Sequence, residues 1–194
     1  MIYVYFMFKK KYLFASLMFN LCIVSTVQAN WVKDTWSAGV KEIKTVYQQG
    51  DNQLWVSGWA HHGRSSYSPE KLDTLNERAL GLGWAKTIRQ DNMHRGIFGL
   101  VMLDSHKDKQ YQVGYTYEKA YYFNQNAKNW YIAGGIAPAV VRRADMFKKI
   151  PFPAVFPLLS IGNKKAEMRM IYLPRLSNNL GSGDVLYVFT SFAF

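Results

Sequence analysis

Three side chains have the types and the placement to do chemistry: His62, Asp104 and Ser105. An imidazole can take a proton, a hydroxyl can attack a carbonyl or hold a second hydroxyl, and a carboxylate can orient the imidazole or stabilise a cation; together they fit acyl transfer. About 40 residues separate the histidine from the pair, so only a fold can bring them together. Each stands at the end of a strand-length stretch. Arg95 to Ser105 reads RGIFGLVMLDS, with Ile97, Gly99, Val101 and Leu103 on one face and Phe98, Leu100, Met102 and Asp104 on the other. Both faces are apolar until the last pair, as in a strand with hydrocarbon on each side or one buried between two layers. A lone histidine is an ordinary structural residue, and its convergence with a carboxylate and a hydroxyl is what singles out His62.

Positioning these residues falls to the rest of the chain, beginning with a segment that addresses it. Residues 1–29 read as a cleaved secretory signal: Lys9, Lys10 and Lys11, an apolar run from Tyr12 to Val24, then Val27-Gln28-Ala29 at the cleavage site. That run is shorter than the roughly 20 residues that span a bilayer. Cys22 is the one cysteine and lies in this segment, so the mature chain, starting near Asn30, has no disulfide or thiol chemistry. The chain carries 24 basic and 13 acidic residues. Without the three signal lysines the charge is near +8, which calls for an anionic partner. Export excludes nucleic acid and leaves phosphate-bearing lipid heads.

Residues 30–49 form the one expected helix, amphipathic through Val32, Trp36, Val40, Ile43 and Tyr47, with Lys33, Lys41 and Lys44 elsewhere on its surface. Over 50–194 the spacing predicts eight strands at about 54–63, 74–88, 95–104, 110–122, 128–142, 155–162, 165–173 and 184–194, with no second helix. Gln90–His94, Asn124–Asn126 and Gly162–Lys164 are short turns; Arg64–Asp73, Arg143–Ala154 and Pro174–Gly183 are longer loops. Short turns on one rim and long loops on the other define an eight-stranded antiparallel transmembrane β-barrel, an all-β fold preceded by the helix. The aromatic last strand, with Phe192 and Phe194, fits a barrel whose closure pairs every edge.

Period-two reading sorts the faces. Tyr111, Val113, Tyr115 and Tyr117 face lipid, opposite Gln112, Gly114, Thr116 and Glu118. In the first strand His62 groups with Leu54, Val56, Gly58 and Ala60 and is expected inward, whereas His61 groups with Trp55 and Trp59 and is expected outward. With both termini on the short-turn side, the ends of the first and third strands share the long-loop rim. Beneath them Val56, Gly58, Ala60, Ala133 and Ala137 are expected to leave a small-residue, apolar well suited to an acyl chain.

The chain resembles the PagP-type lipid A palmitoyltransferases. The resemblance is carried by the N-terminal helix, His62 followed by Gly63-Arg64, Glu70-Lys71 with Asn76-Glu77-Arg78, the pair Asp104-Ser105, Pro151-Phe152-Pro153 to Pro157-Leu158, Ile171-Tyr172-Leu173-Pro174, and the aromatic terminus. It implies an outer-membrane barrel that moves a palmitoyl or similar chain from the sn-1 position of a phospholipid donor to a hydroxyacyl chain of lipid A, with no cofactor and no metal, as a monomer or weak homodimer. His62, Asp104 and Ser105 match its essential rim residues, with His62 as general base and Ser105 as nucleophile or hydroxyl positioner. The family's acyl-length glycine is matched by Thr116, whose larger side chain raises the floor of the well. Prolines that open a lateral lipid entrance are matched by Pro157 and Pro174, while Ser57 and Ala79 stand where a second pair is expected. Arg95 matches a position linked to lipopolysaccharide recognition. The rival readings are a lipid A deacylase barrel, a structural or adhesive barrel of the OmpX kind with a polar interior, and a soluble lipocalin.

Overall fold

A computed structural model describes residues 31–124, 129–175 and 183–194. The signal assigned to 1–29, with Cys22, and Asn30 lie outside the described residues, as do parts of the loops Asn124–Asn126 and Pro174–Gly183. The helix α1 covers 31–49. Its first part presents Trp31, Val32, Trp36, Val40 and Ile43 along one apolar face. In its last turn Val46 is fully buried, and the Val46 carbonyl accepts the Gly50 N–H, which ends the helix one residue before the first strand.

Eight antiparallel strands then close into a barrel in sequence order. They are β1 (Asp51–His62), β2 (Gly81–Gln90), β3 (Met93–Leu103), β4 (Lys109–Tyr122), β5 (Trp130–Arg142), β6 (Phe152–Asn163), β7 (Ala166–Leu173) and β8 (Val185–Ala193). β1 pairs with β8 from Gln53↔Ala193 to His62↔Val185, which removes the edge that an aromatic last strand would otherwise expose. The outer face keeps Leu54, Val56, Leu82, Val101, Val113, Ile136 and Val155 in contact with the surroundings, together with Trp59, Trp84, Tyr117, Tyr121 and Trp130. An apolar outer face with aromatic residues is the surface a lipid bilayer solvates. No helix among the described residues is long and apolar enough to cross a membrane.

The alternation expected for β4 holds on either side of Gly114 and Tyr115, which are both half-buried, with Gln110, Gln112, Thr116 and Glu118 buried and Tyr111, Val113 and Tyr117 exposed. β1 departs from its expected pattern. Trp55 and Ser57 face inward, and Leu54, Val56 and Gly58 face outward. The cause is a β-bulge: Ser57 pairs with Phe189 and Trp59 with Val188, so Gly58 is an extra residue and the count of two slips there. Val56 and Gly58 therefore leave the expected well and Trp55 enters the barrel, while Ala60 and His62 face inward and His61 outward as expected. Ala133 packs with Ala120, Tyr122 and Tyr131 near the short-turn end, away from the well; Ala137 belongs to the main core.

Two expectations about the first long loop are also corrected. A second helix, α2 (Pro69–Asp73), occupies it, started by Ser68 as N-cap and Pro69 in the first turn, and a turn of 3-10 helix lies at Phe147–Lys149. β2 begins at Gly81 rather than near 74. Residues 74–80 are instead a connector, because the Asn76 side chain bonds the Arg78 backbone on both sides, 2.8 Å to its carbonyl and 3.2 Å to its N–H.

Candidate active site

The barrel interior is divided across its length. The short-turn half is filled by polar side chains. Arg169 donates to Glu118 (3.0 Å) and to Glu167 (2.8 Å), Ser160 donates to Glu118, Tyr131 and Arg89 donate to Glu167, and all of these acceptors are buried. Trp55 lies on this layer, its ring 5.0 Å from the Arg169 guanidinium and its Nε1 donating to Gln53. Above, Trp55 stacks on Phe98 (4.8 Å between centroids) and meets Phe189 (5.0 Å). These three rings form a floor. The long-loop half above it is apolar: Leu100, Met102, Phe156, Ile171, Leu173, Tyr187 and Phe189 line a narrow cavity, with Ser57, Gln110 and Gln112 as its polar members.

His62 and Ser105 sit at the head of that cavity. β1 ends at His62, and the β3–β4 turn carries Ser105, so the shared rim inferred from strand parity is where they meet. His62 Nε2 lies 2.9 Å from Ser105 Oγ, and both residues are buried. The Tyr67 ring stands edge-on to the imidazole at 5.5 Å. The His62–Ser105 contact has the geometry in which an imidazole takes a hydroxyl proton. For Nε2 to accept from the hydroxyl, the ring proton of the neutral imidazole must sit on Nδ1.

Asp104 is adjacent to Ser105 but its carboxylate does not reach His62. Its Oδ1 accepts the N–H groups of His106 (2.8 Å) and Asp108 (2.9 Å), and its Oδ2 lies 3.8 Å from Arg143. Arg143 also grips Asp145 through two 2.9 Å bonds, which hold the Asp145 carboxyl below its ordinary range. Asp104 thus shapes the turn that presents Ser105. The same turn is tied to the first long loop by the Asn76 N–H, which donates to the Ser105 carbonyl at 2.8 Å.

The carboxylate nearest His62 is Glu77. Its Oε1 lies 3.7 Å from His62 Nδ1 and accepts the His62 backbone N–H at 3.2 Å. Arg64 donates to both Glu77 oxygens, at 2.8 and 3.1 Å, and holds that carboxyl below its ordinary range. Neither Glu77 nor the aromatic floor of Trp55, Phe98 and Phe189 is assigned a role by the sequence. A floor of facing aromatics depends on register between distant strands, and the only local sign of Glu77 is its place between Asn76 and Arg78 in the first long connection.

The remaining expected residues fall at different places. Thr116 is fully buried, next to Gly96 on β3 and two residues below Gly114, which the Phe98 ring covers. Its hydroxyl makes no hydrogen bond among the described residues, so it does not join the Glu118 network. Pro157 directly precedes Leu158, the first β6 residue paired to β7, and Pro174 follows the end of β7. Residues 152–157 of β6 pair with β5 but not with β7, leaving a seam at the long-loop end. Arg95 lies at the opposite, short-turn end of β3, on the outer face, with its guanidinium 3.4 Å from the Gln90 side chain.

The structure thus sets a His–Ser pair at the head of a largely apolar well inside a closed barrel with an apolar outer face. The family described as "Antimicrobial peptide resistance and lipid A acylation protein PagP" matches residues 42–191, and the chain belongs to that family. The Lipid A acyltransferase PagP of Bordetella parapertussis is 28% identical over 186 residues, covering 95% of this chain and 99% of that protein. The protein of the same description from Legionella pneumophila is 32% identical over 151 residues, 76% of each chain. In structure, outer membrane protein H of P. aeruginosa aligns with a TM-score of 0.40 at 14% identity, over 74% of this chain and 99% of that one.

Proposed function

We propose that this protein is a lipid A acyltransferase of the outer membrane that takes its acyl chain from a glycerophospholipid. The observation that carries the reading is the 2.9 Å contact between His62 and Ser105 at the head of an apolar well. The donor chain threads the well with its ester at the pair. His62 takes the Ser105 proton as Oγ attacks the ester carbonyl, and the lysophospholipid leaves with that proton. The hydroxyl of a lipid A acyl chain then attacks the acyl-serine, giving its proton to His62, which returns it to Ser105 Oγ. Arg64, Arg78 and Lys107 line an open cleft at this rim, in keeping with the phosphates that donor and acceptor both carry. The seam flanked by Pro157 and Pro174 is the lateral entrance for lipid. The signal over 1–29 directs export and is then cleaved, and the helix over 30–49 rests at the membrane interface.

Mass spectrometry of lipid A from cells with and without the protein tests the reading, since one acyl chain is gained with transfer and lost with a deacylase. A polar interior throughout would favour a structural barrel; here polar side chains fill the short-turn half, and the long-loop half is mostly apolar, with Ser57, Gln110 and Gln112 as its polar members.

The well also sets chain length. From Asp104 down to Phe98 is six residues on β3; at about 3.3 Å per residue and a tilt near 40° this gives a depth of about 15 Å, the length of roughly a dozen extended carbons, and the lining side chains, which leave about 20 Å³ open, must part to admit them. Thr116 acts from beneath, in the layer that the Phe98 ring must enter for the well to deepen. Thr116→Gly is therefore expected to lengthen the preferred donor by about one or two carbons, and Phe98→Ala by about four. Each methylene is worth about 0.8 kcal/mol, about fourfold in preference. Phospholipids of graded acyl length assayed on the purified variants check this; identical length profiles for both variants and the parent would take Thr116 and Phe98 out of the selection.

A further inference from the structure

The His62 ring is faced or flanked from the packed elements by Ser105, Glu77, Arg64, His61 and Tyr67. We propose that Glu77, and not Asp104, is the carboxylate that positions His62, by holding Nδ1–H so that the Nε2 lone pair points at Ser105 Oγ.

Three observations carry this. First, the only carboxylate within 4 Å of His62 among the described residues is Glu77, 3.7 Å from Nδ1, and Nδ1 is buried with no closer hydrogen-bond partner. A buried ring nitrogen in that state needs an acceptor, and a catalytic hydrogen bond that is long in the free enzyme tightens with substrate bound. Second, both Asp104 oxygens are directed elsewhere, one to the turn amides and one toward Arg143. Third, Glu77 is itself fixed: Arg64 takes it at both oxygens, the His62 N–H takes Oε1, and its own carbonyl accepts the Ala60 N–H at 2.9 Å. The arrangement is serine, histidine and an oriented acid, with the acid supplied by the first long connection and an arginine behind it. Glu77 touches no reacting atom, so it is a positioning residue. Its charge favours the imidazolium that forms when Ser105 gives up its proton.

The proposal rests on the acyl-transfer reading, and its test separates the two. In the full-length protein in detergent micelles, ring-nitrogen NMR of His62, assigned by difference from His62→Ala, is expected to show the Nδ1–H tautomer at neutral pH. Glu77→Gln is expected to shift the His62 titration to lower pH, because a neutral amide no longer favours the imidazolium. It is also expected to lower kcat at least about tenfold with KM within about twofold, and to move the acid limb of the pH–rate profile the same way. Glu77→Asp, which keeps the charge, recovers part of both. An Nε2–H tautomer in the parent protein overturns the proposal even if Glu77→Gln does not fold. So does a folded Glu77→Gln with an unmoved titration or with kcat within about twofold of the parent. Should the parent transfer no acyl chain at all, the acyl-transfer reading falls by itself, and the NMR arms still decide the role of Glu77.

Discussion

Ser105→Ala is expected to reduce acyl transfer by about a thousandfold or more, and His62→Ala by a similar factor, with the barrel intact in both. The size of the effect follows from the two acting as a unit: without the hydroxyl nothing is acylated, and without the imidazole the hydroxyl keeps its proton. The effect on folding is small for a specific reason. The Ser105 hydroxyl meets His62 Nε2 and the Tyr187 phenol, two side chains at the rim, while its carbonyl, which Ala retains, is what Asn76 binds. Lysophospholipid release from a defined donor measures the first expectation, and heat-modified gel mobility measures the second. His61→Ala is the control, since His61 faces outward and packs on Trp59 at 5.3 Å. Acyl-Ser105 trapped by rapid quench and seen by intact-protein mass spectrometry would fix the serine as nucleophile. A Ser105→Ala protein with near-normal transfer would show that the attacking hydroxyl is the acceptor's own and that Ser105 serves neither role.

Arg169→Ala carries the largest expected cost in stability, about 3–5 kcal/mol. Arg169 is fully buried in the polar half and is the cation that Glu118 and Glu167 share, at 3.0 and 2.8 Å. Removing it leaves Glu118 with Ser160 and leaves Glu167 to Arg89, Tyr131 and Ser191. It also withdraws the guanidinium on which Trp55 rests. Because Trp55 is part of the well floor, the same variant is expected to blur acyl-length selection in whatever fraction remains folded. Denaturant unfolding in micelles, followed by the fluorescence of the tryptophans, gives the midpoint. An unchanged midpoint would mean that water enters to replace the guanidinium and that the polar half does not lock the barrel. Arg169→Leu combined with Glu118→Leu is expected to recover part of the loss, since the orphaned charge of Glu118 is then gone.

Much of the fold was legible because a membrane barrel writes its rules locally. β4 shows this best: Tyr111, Val113 and Tyr117 alternate with Gln112, Thr116 and Glu118, and the pattern softens only at Gly114 and Tyr115. The meeting of His62 and Ser105 was legible for a related reason, since strand parity and the lengths of the connections place strand ends on rims without any knowledge of packing. The features that escaped depend on contacts between distant segments. Counting from Leu54 put His62 inward, which is correct, but through a face that in fact points out, because period-two counting cannot see an extra residue at Gly58. The stretch 74–80 is expected as the start of the second strand, yet the Asn76 side chain is engaged with Arg78 and its N–H with the Ser105 turn. Strand parity and the resemblance place Asp104 on the same rim and leave its role open between orienting the imidazole and stabilising a cation. Where its carboxylate points is decided by the amides of His106 and Asp108, and that no spacing rule reports.

The bulge in β1 makes one position of the barrel indifferent to length. A deletion within a regular strand rotates everything beyond it to the other side of the wall, exchanging lipid-facing for interior side chains. At Gly58 that penalty vanishes. Ser57 already answers to Phe189 and Trp59 to Val188, so a chain lacking residue 58 keeps every later pairing of β1 with β8, down to His62 opposite Val185. No atom lies within 4 Å of where a Gly58 side chain would begin, so its loss opens no hole in the interior. A one-residue deletion that would be ruinous elsewhere in this wall therefore leaves His62 facing the interior when it falls here.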